Sequence, residues 1–320
     1  MEQKLMIIAQ NISQEYIRKI EQTAPGWTVL TGRKQEAWQD RLHEAEIIAG
    51  WKKMMEEYIS EDSPALRWIQ AWSAGVNSLP LRYFEEKGIS ISTASGVHAF
   101  PISETIFGLM LALTRKIYSY IRNQATKTWH HEHMNQEIHN KTIGIIGVGA
   151  IGKETAKIAK AFGMRVLGTR HSGKPEQFVD EMYTNKELHT ILPQCDYVVI
   201  TLPLTTETHH LFGSEEFKLM KTSSFLINIG RGEIVNEPEL IQALNDGEIA
   251  GAGLDVFETE PLQAESPLWN MDNVIITPHT AGSTEFYDQR VLDQIFLPNL
   301  KSYISGTGLK VNVVDYRKGY

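Results

Sequence analysis

At 320 residues the chain is long for one average domain and comfortable for two, either of which could bury a sizeable core. Its 42% hydrophobic and 22% charged residues are those of an ordinary globular protein, and a net charge of −8 argues against a duplex nucleic acid as partner, which needs a basic surface. Cys195 is the only cysteine, which excludes an intrachain disulfide and a cysteine-based zinc site, and no apolar stretch approaches the length of a membrane span.

Short apolar runs alternate with helical patterns through most of the chain, which predicts βαβ units and parallel sheets. The opening MEQKLMIIAQ has one short apolar run and lacks the long h-region of a signal peptide, so a cytoplasmic protein is expected. Strands are expected at Leu5–Ala9, Trp27–Leu30, Ile47–Ala49, Trp68–Trp72 and Ile89–Ser92, building a smaller α/β domain. An apolar-rich helix from about Ile102 to Arg122 then leads into a second domain. Its strands are expected at Thr142–Ile146, Arg165–Gly168, Tyr197–Thr201, Ser224–Ile229, Ala250–Leu254 and Val274–Thr277, with Cys195 a small buried residue beside the third. Ile151, Thr155, Ile158, Ala159 and Phe162 recur at helical spacing and mark one apolar face, and Gly163 ends that helix. Ser214 reads as the N-cap of a helix Glu215–Met220, and a helix Glu237–Leu244 ends near Asn245-Asp246-Gly247. Gln289–Ser305 reads as a return helix, and Val311–Asp315 as a segment able to pair with the first sheet.

The run Gly147-Val148-Gly149-Ala150-Ile151-Gly152 follows a strand, opens a helix and is followed by another strand. A lone GxGxxG is weak evidence, but this context makes it informative. Gly147 permits a tight turn, Gly149 lets a pyrophosphate approach the backbone, and Gly152 lets helix and strand pack closely. The helix N-terminus supplies amides and a positive dipole end for phosphates. About 20 residues on, an NAD enzyme places Asp or Glu against the ribose 2′-OH. Here the chain reads Thr169-Arg170-His171-Ser172-Gly173-Lys174, with no carboxylate, two cations, and hydroxyls on Thr169 and Ser172 that can donate hydrogen bonds, so Thr169, Arg170, His171 and Ser172 are expected to face the cofactor. Arg170 can pair bidentately with a 2′-phosphate that an acid would repel, so NADP(H) is the expected cofactor, with NAD(H) possible. The bland alternative is a solvated basic loop.

Three segments carry the remaining chemistry: Asn228-Ile229-Gly230-Arg231-Gly232, Gly253–Leu262 (GLDVFETEPL) and Thr277–Thr284 (TPHTAGST). Arg231, Glu260 and His279 each follow an expected strand, on the side where parallel sheets bind ligands. Singly, Arg231 could pair with a surface acid, Glu260 could be a solvated loop residue, and His279 could be a satisfied core histidine. Together, and in order, these segments resemble the D-isomer-specific 2-hydroxyacid dehydrogenase family. Further matches are Gly75-Val76, Ile102-Ser103-Glu104, GIIGVGAIG at 144–152, Phe162-Gly163-Met164, LPLTTET at 202–208 and LINIGRGEIVNE at 226–237.

That resemblance implies an α/β fold of two domains: a Rossmann-type dinucleotide-binding domain at 102–282, inserted into a smaller flavodoxin-like substrate domain at 1–101 and 283–320. It implies reduction of a small 2-oxo acid, such as glyoxylate or hydroxypyruvate, to a D-2-hydroxy acid. Arg231 then matches the arginine that binds the substrate's carboxylate and carbonyl oxygen, His279 the general acid, and Glu260 its partner, with Glu258 as rival. The loop Ala74-Gly75-Val76 matches backbone donors for the substrate carboxylate. Asp255 and the Ile229 carbonyl match groups that hold the nicotinamide amide, and Pro203 and Thr208 match further cofactor contacts. The physics agrees: ketone reduction needs a hydride and a proton, an imidazolium is a suitable acid near neutral pH, and a guanidinium fits a planar carboxylate. Asn236 and Asn77 stand where the family often has Asp, which leaves loop geometry open. The resemblance also implies a homodimer.

His130, His131 and His133 lack the spacing of a metal motif, and no metal is expected. Trp129 resembles a tryptophan that reaches a partner subunit's site in some relatives, although helix-packing tryptophans are common. Trp51, Trp72, His98 and Phe100 either shape a side-chain pocket or belong to the core. A nucleotide-sensing binding module or corepressor can share this fold, and turnover with a 2-oxo acid separates it from an enzyme.

Overall fold

The short apolar runs pair as two wholly parallel sheets, one of five strands and one of seven, in the computed structural model, which describes residues 4–57, 65–76, 79–131 and 135–317. The chain forms two units, Met1–Val97 with Thr284–Tyr320, and His98–Ser283. These divisions fall a few residues from the boundaries expected at 101/102 and 282/283.

In the first unit, β1 (Leu5–Ile8), β2 (Thr28–Thr31), β3 (Ala45–Ala49), β4 (Trp68–Gln70) and β5 (Ser90–Ser92) lie in the order β2-β1-β3-β4-β5. This is the flavodoxin-like order. Alternation along β1 divides the core: Leu5 and Ile7 join Trp38, Ile48, Ile69 and Phe84, whereas Met6 and Ile8 join Ile47, Trp68, Leu292, Phe296 and Leu300. The last three residues come from the return segment. It runs as α-helix (Tyr287–Val291), π-helix (Leu292–Phe296) and α-helix (Leu297–Ile304) rather than one regular helix over Gln289–Ser305. Pro298 has no N–H to offer the carbonyl one turn back, so the ladder shifts there. The tail pairs with β5 through one antiparallel bridge, Ser92 to Val313, and the Val314 amide donates to the Ile91 carbonyl at 2.9 Å.

In the second unit, β6 (Thr142–Ile146), β7 (Arg165–Thr169), β8 (Glu181–Tyr183), β9 (Tyr197–Ile200), β10 (Phe225–Asn228), β11 (Gly251–Leu254) and β12 (Val274–Ile276) lie in the order β12-β11-β10-β9-β6-β7-β8. The strand order therefore reverses between β6 and β9, the place where such sheets bind ligands at their C-terminal edge. Ile143, Ile145, Val199 and Ile227 face one helical layer, and Ile146, Val198, Ile200 and Leu226 face the other. Buried on both sides, these strands read in sequence as continuous apolar runs. The register sets Thr169, Ile146, Ile200, Asn228, Leu254 and Ile276 in one row. Whatever follows those six residues emerges on one edge.

Three local expectations change. The helix expected over Ile102–Arg122 is two helices, Ala99–Thr114 and Ile117–Ala125, separated by Lys116 in the left-handed region (φ 53°). The Thr114 hydroxyl donates to the Met110 carbonyl at 2.7 Å, a back-bond that competes with continuing the helix. Ser214 is the first residue of its helix, not the cap: Gly213 precedes it and its amide donates to Glu216 Oε2 at 3.0 Å. On the helix Ala150–Ala161 the fully buried face is Gly152, Thr155, Ala156 and Ala159, with Ile151 and Ile158 at its margins and Phe162 partly exposed and stacked on Phe107. Asn236 caps the helix Glu237–Asn245, its side-chain oxygen accepting the Glu239 amide at 3.2 Å. Among the described residues, no helix is long and apolar enough to cross a membrane.

Candidate active site

The glycine-rich turn leaves β6 at the reversal point. Gly147 adopts φ 107°, where a side chain is strained, and a Cβ there would lie 2.9 Å from Leu202. A Cβ on Gly152 would lie 2.8 Å from the Gly147 carbonyl oxygen. Gly149 differs, because a Cβ there would meet nothing within 4 Å. Gly147 and Gly152 thus serve the protein's own packing, while the space over Gly149 is open. It adjoins the N-terminus of a 12-residue helix, whose first-turn amides at Ala150, Ile151 and Gly152 have no partner within the helix. This turn fits a dinucleotide pyrophosphate. Thr169, expected to face the cofactor, is fully buried instead, and its hydroxyl accepts the Gly147 amide at 3.2 Å.

Arg231 follows β10 in a loop that its flanking glycines fit tightly. A Cβ on Gly230 would lie 2.7 Å from the Leu202 carbonyl oxygen, and one on Gly232 only 1.9 Å from the Phe257 carbonyl. The Arg231 loop therefore packs directly on the backbone of the loop that carries Glu260. Buried Asn228 braces the same loop: its amide donates to the Arg231 carbonyl at 3.0 Å, and its oxygen accepts the Gly230 amide at 3.1 Å. The Arg231 side chain is exposed, with Nη1 donating to its neighbour's carbonyl at 2.7 Å.

His279 Nδ1 donates to Glu260 Oε2 at 2.7 Å, and Glu260 Oε1 accepts the Phe257 amide at 3.2 Å. The carboxylate is thus pinned before it meets the ring. His279 sits in the left-handed region (φ 51°), and its amide donates to the Asp255 carbonyl at 2.9 Å. Asp255, which is buried, holds the rest of this loop: Oδ1 accepts the Thr277 hydroxyl at 2.6 Å and the Thr280 amide at 2.9 Å, and Oδ2 accepts the Ala281 amide at 3.0 Å. With Nδ1 given to Glu260, Nε2 is the nitrogen left for chemistry. The rival Glu258 pairs with His210 Nε2 at 2.7 Å and accepts the Glu237 amide, so it is spent elsewhere. Burial, with Glu258 beside it, raises the Glu237 carboxyl above the usual range.

The loop after β7 holds what the sequence reading missed. Arg170 Nε donates to the Val148 carbonyl at 2.9 Å, which sets its guanidinium beside the glycine-rich turn. Its Nη2 meets Glu176 Oε2 at 2.7 Å, and Lys153, from the first turns of the helix Ala150–Ala161, meets the same oxygen at 2.7 Å. Lys153 and then Arg170 hold the Glu176 carboxyl down to about 2. The strand end itself lacks an acid, as read, but one folds back from six residues along. His171 and Ser172 are exposed. The Thr208 hydroxyl is committed to the Pro203 carbonyl at 2.8 Å, bracing the loop after β9, and Ile229 follows β10 in the core.

In the first unit, Ala74 and Gly75 are exposed after β4, and Val76 is buried. Trp72 Nε1 donates to Asp288 at 2.7 Å, and Trp51 packs edge-on against Phe84. In the second unit, His98 Nδ1 lies 3.0 Å from the Gly282 carbonyl and Phe100 is exposed. Trp129 is 96% exposed, His130 and His131 are exposed, and Asn77 and His133 lie outside the described residues.

Known proteins resemble this chain in sequence and in fold. Residues 107–281 match the model of the D-isomer specific 2-hydroxyacid dehydrogenase, NAD binding domain. A glyoxylate/hydroxypyruvate reductase B of Pectobacterium carotovorum is 38% identical over 250 residues, 76% of this chain and 78% of that protein. Among solved structures, a D-isomer specific 2-hydroxyacid dehydrogenase family protein from Aeromonas salmonicida superposes with a TM-score of 0.83 at 33% identity, covering 98% of this chain and all of that one. The NADPH-dependent glyoxylate/hydroxypyruvate reductase of Sinorhizobium meliloti, solved with NADP and sulfate, has a TM-score of 0.77 at 27% identity, covering 99% of this chain and all of its own.

Proposed function

We propose that this chain, which belongs to the D-isomer-specific 2-hydroxyacid dehydrogenase family, reduces a small 2-oxo acid of the glyoxylate or hydroxypyruvate type to its D-2-hydroxy acid, with NADPH preferred over NADH. The observation that carries this reading is the 2.7 Å His279–Glu260 bond on the sheet edge from which Arg231 also emerges.

In this reading Gly147, Gly149, Ala150, Ile151 and Gly152 cradle the pyrophosphate, and the Ile229 carbonyl and Asp255 side of the edge receives the nicotinamide. Thr208 and Pro203 shape the loop beside it. When bound, the cofactor supplies the hydride. Arg231 grips the substrate carboxylate and stabilises negative charge on the reacting oxygen. His279 gives its Nε2 proton to the developing alkoxide, while Glu260, fixed on Nδ1, orients the ring and stabilises its charged form. The preference for NADPH rests on Arg170, on the missing strand-end acid, and on the NADP-bound relative from S. meliloti. A homodimer is supported by the exposed Ile117 and Ile121 on one helix.

The test is a panel of 2-oxo acids, each assayed with NADPH and with NADH. Turnover of at least one small 2-oxo acid, faster with NADPH, is expected. Arg231→Ala should lower kcat/KM by about a hundredfold or more, since substrate binding and charge stabilisation go together. Near-normal activity in that variant sinks the assignment.

A further inference from the structure

We infer that Glu176 is a specificity-determining residue, an internal anion that occupies Arg170 and Lys153 and must yield them to the 2′-phosphate of NADPH. The inference rests on the reading above, in which Arg170 meets that phosphate.

Two cations from different elements converge on one oxygen, Glu176 Oε2, at 2.7 Å each. Arg170 is already oriented by its Nε bond to the Val148 carbonyl, inside the glycine-rich turn. Lys153 stands on the helix whose N-terminus is the phosphate site. The Arg170 and Glu176 side chains are 23% and 18% exposed and Lys153 is 51% exposed, so the Arg170–Glu176 pairing is the less screened of the two. A pair of cations placed beside a dinucleotide turn is the arrangement a phosphate monoester needs, because its three oxygens can accept both. Here a carboxylate of the chain holds that position. Its other oxygen accepts the adjacent Gln177 amide, at 3.2 Å.

Glu176 is also placed to leave. His171, Ser172, Lys174, Pro175 and Gln177 are exposed, and no helix or strand forms between β7 and β8. Little packing opposes a swing of this loop. The consequence is a preference weaker than two cations alone would produce, because NADPH must displace one anion to place another. A carboxylate left beside the ribose would in turn repel the phosphate.

The probes are adenosine 2′,5′-bisphosphate and adenosine 5′-monophosphate, which differ only in the 2′-phosphate, titrated calorimetrically against the whole protein. Glu176→Gln keeps a hydrogen-bond acceptor and removes the charge, and Glu176→Ala serves as a second variant if the first misfolds. Either should bind the 2′,5′-bisphosphate about tenfold more tightly than wild type, with the 5′-monophosphate unchanged. No gain for the bisphosphate, or a loss of 5′-monophosphate affinity in the variants, overturns the inference; the latter would make Glu176 a ribose ligand. Arg170→Ala tests the underlying reading separately. If that variant binds the bisphosphate as well as wild type does, Arg170 is not the phosphate ligand, whatever the Glu176 variants show.

Discussion

Glu258 and Glu260 stand two residues apart, and only Glu260 reaches His279. The Phe257 amide draws Glu260 inward to the ring, whereas Glu258 turns to His210 and Glu237. The sequence placed both acids in one short loop and, by resemblance, favoured the one before Pro261. Glu260→Gln retains an acceptor for Nδ1 but removes the charge that supports an imidazolium. It should lower kcat for reduction by roughly a hundredfold while leaving KM within a few fold. Glu258→Gln, assayed beside it, should stay near wild type. The reverse pattern would transfer the role to Glu258 and His210.

At the scale of elements, the glycines of the turn after β6 separate two demands that a motif search merges. Gly152 answers to the Gly147 carbonyl and Gly147 to Leu202, whereas Gly149 borders open space. Gly149→Ala should therefore unfold at nearly the wild-type temperature yet bind NADPH at least tenfold more weakly, because its methyl projects where phosphates approach. Gly152→Ala should lose on the order of 1–3 kcal/mol of stability, since the helix must move off the turn. Equal stability losses, with NADPH affinity kept in Gly149→Ala, would place the dinucleotide elsewhere. β8 shows where reading by pattern stops. It is a three-residue strand at the sheet edge with no buried residue, so it lacks the apolar run that revealed the six others.

At the scale of the whole molecule, cofactor binding and folding are linked. A ligand that binds only the native state stabilises it by about 2.7 kcal/mol at a hundred times its Kd. NADPH should thus raise the unfolding temperature by several degrees, and NADH at the same concentration by clearly less. A tenfold weaker affinity removes about 1.4 kcal/mol of that gain. Equal shifts with the two cofactors, measured by differential scanning calorimetry, would end the case for NADPH preference. The second unit, which holds the glycine-rich turn and the Arg231, Glu260 and His279 loops, should respond first.

The α/β class, the excursion from one unit to another and back, the glycine-rich turn and the order of Arg231, Glu260 and His279 are legible in the amino-acid sequence. Those features are carried by local patterns: apolar runs, helical spacing and the residues that follow a strand. Tertiary structure alone decided which side chains face the open edge and which are spent inside. Thr169 and Thr208 turn inward to hold loops, Asp255 ties β11 to the His279 loop, and Lys116 breaks a helix that periodicity would continue. Arg170 lies where a 2′-phosphate contact was expected, yet it is already bound to Glu176 and shares that acid with Lys153. No local pattern records such a choice, because the partners are distant in the chain, and only the packed fold determines which charged groups meet.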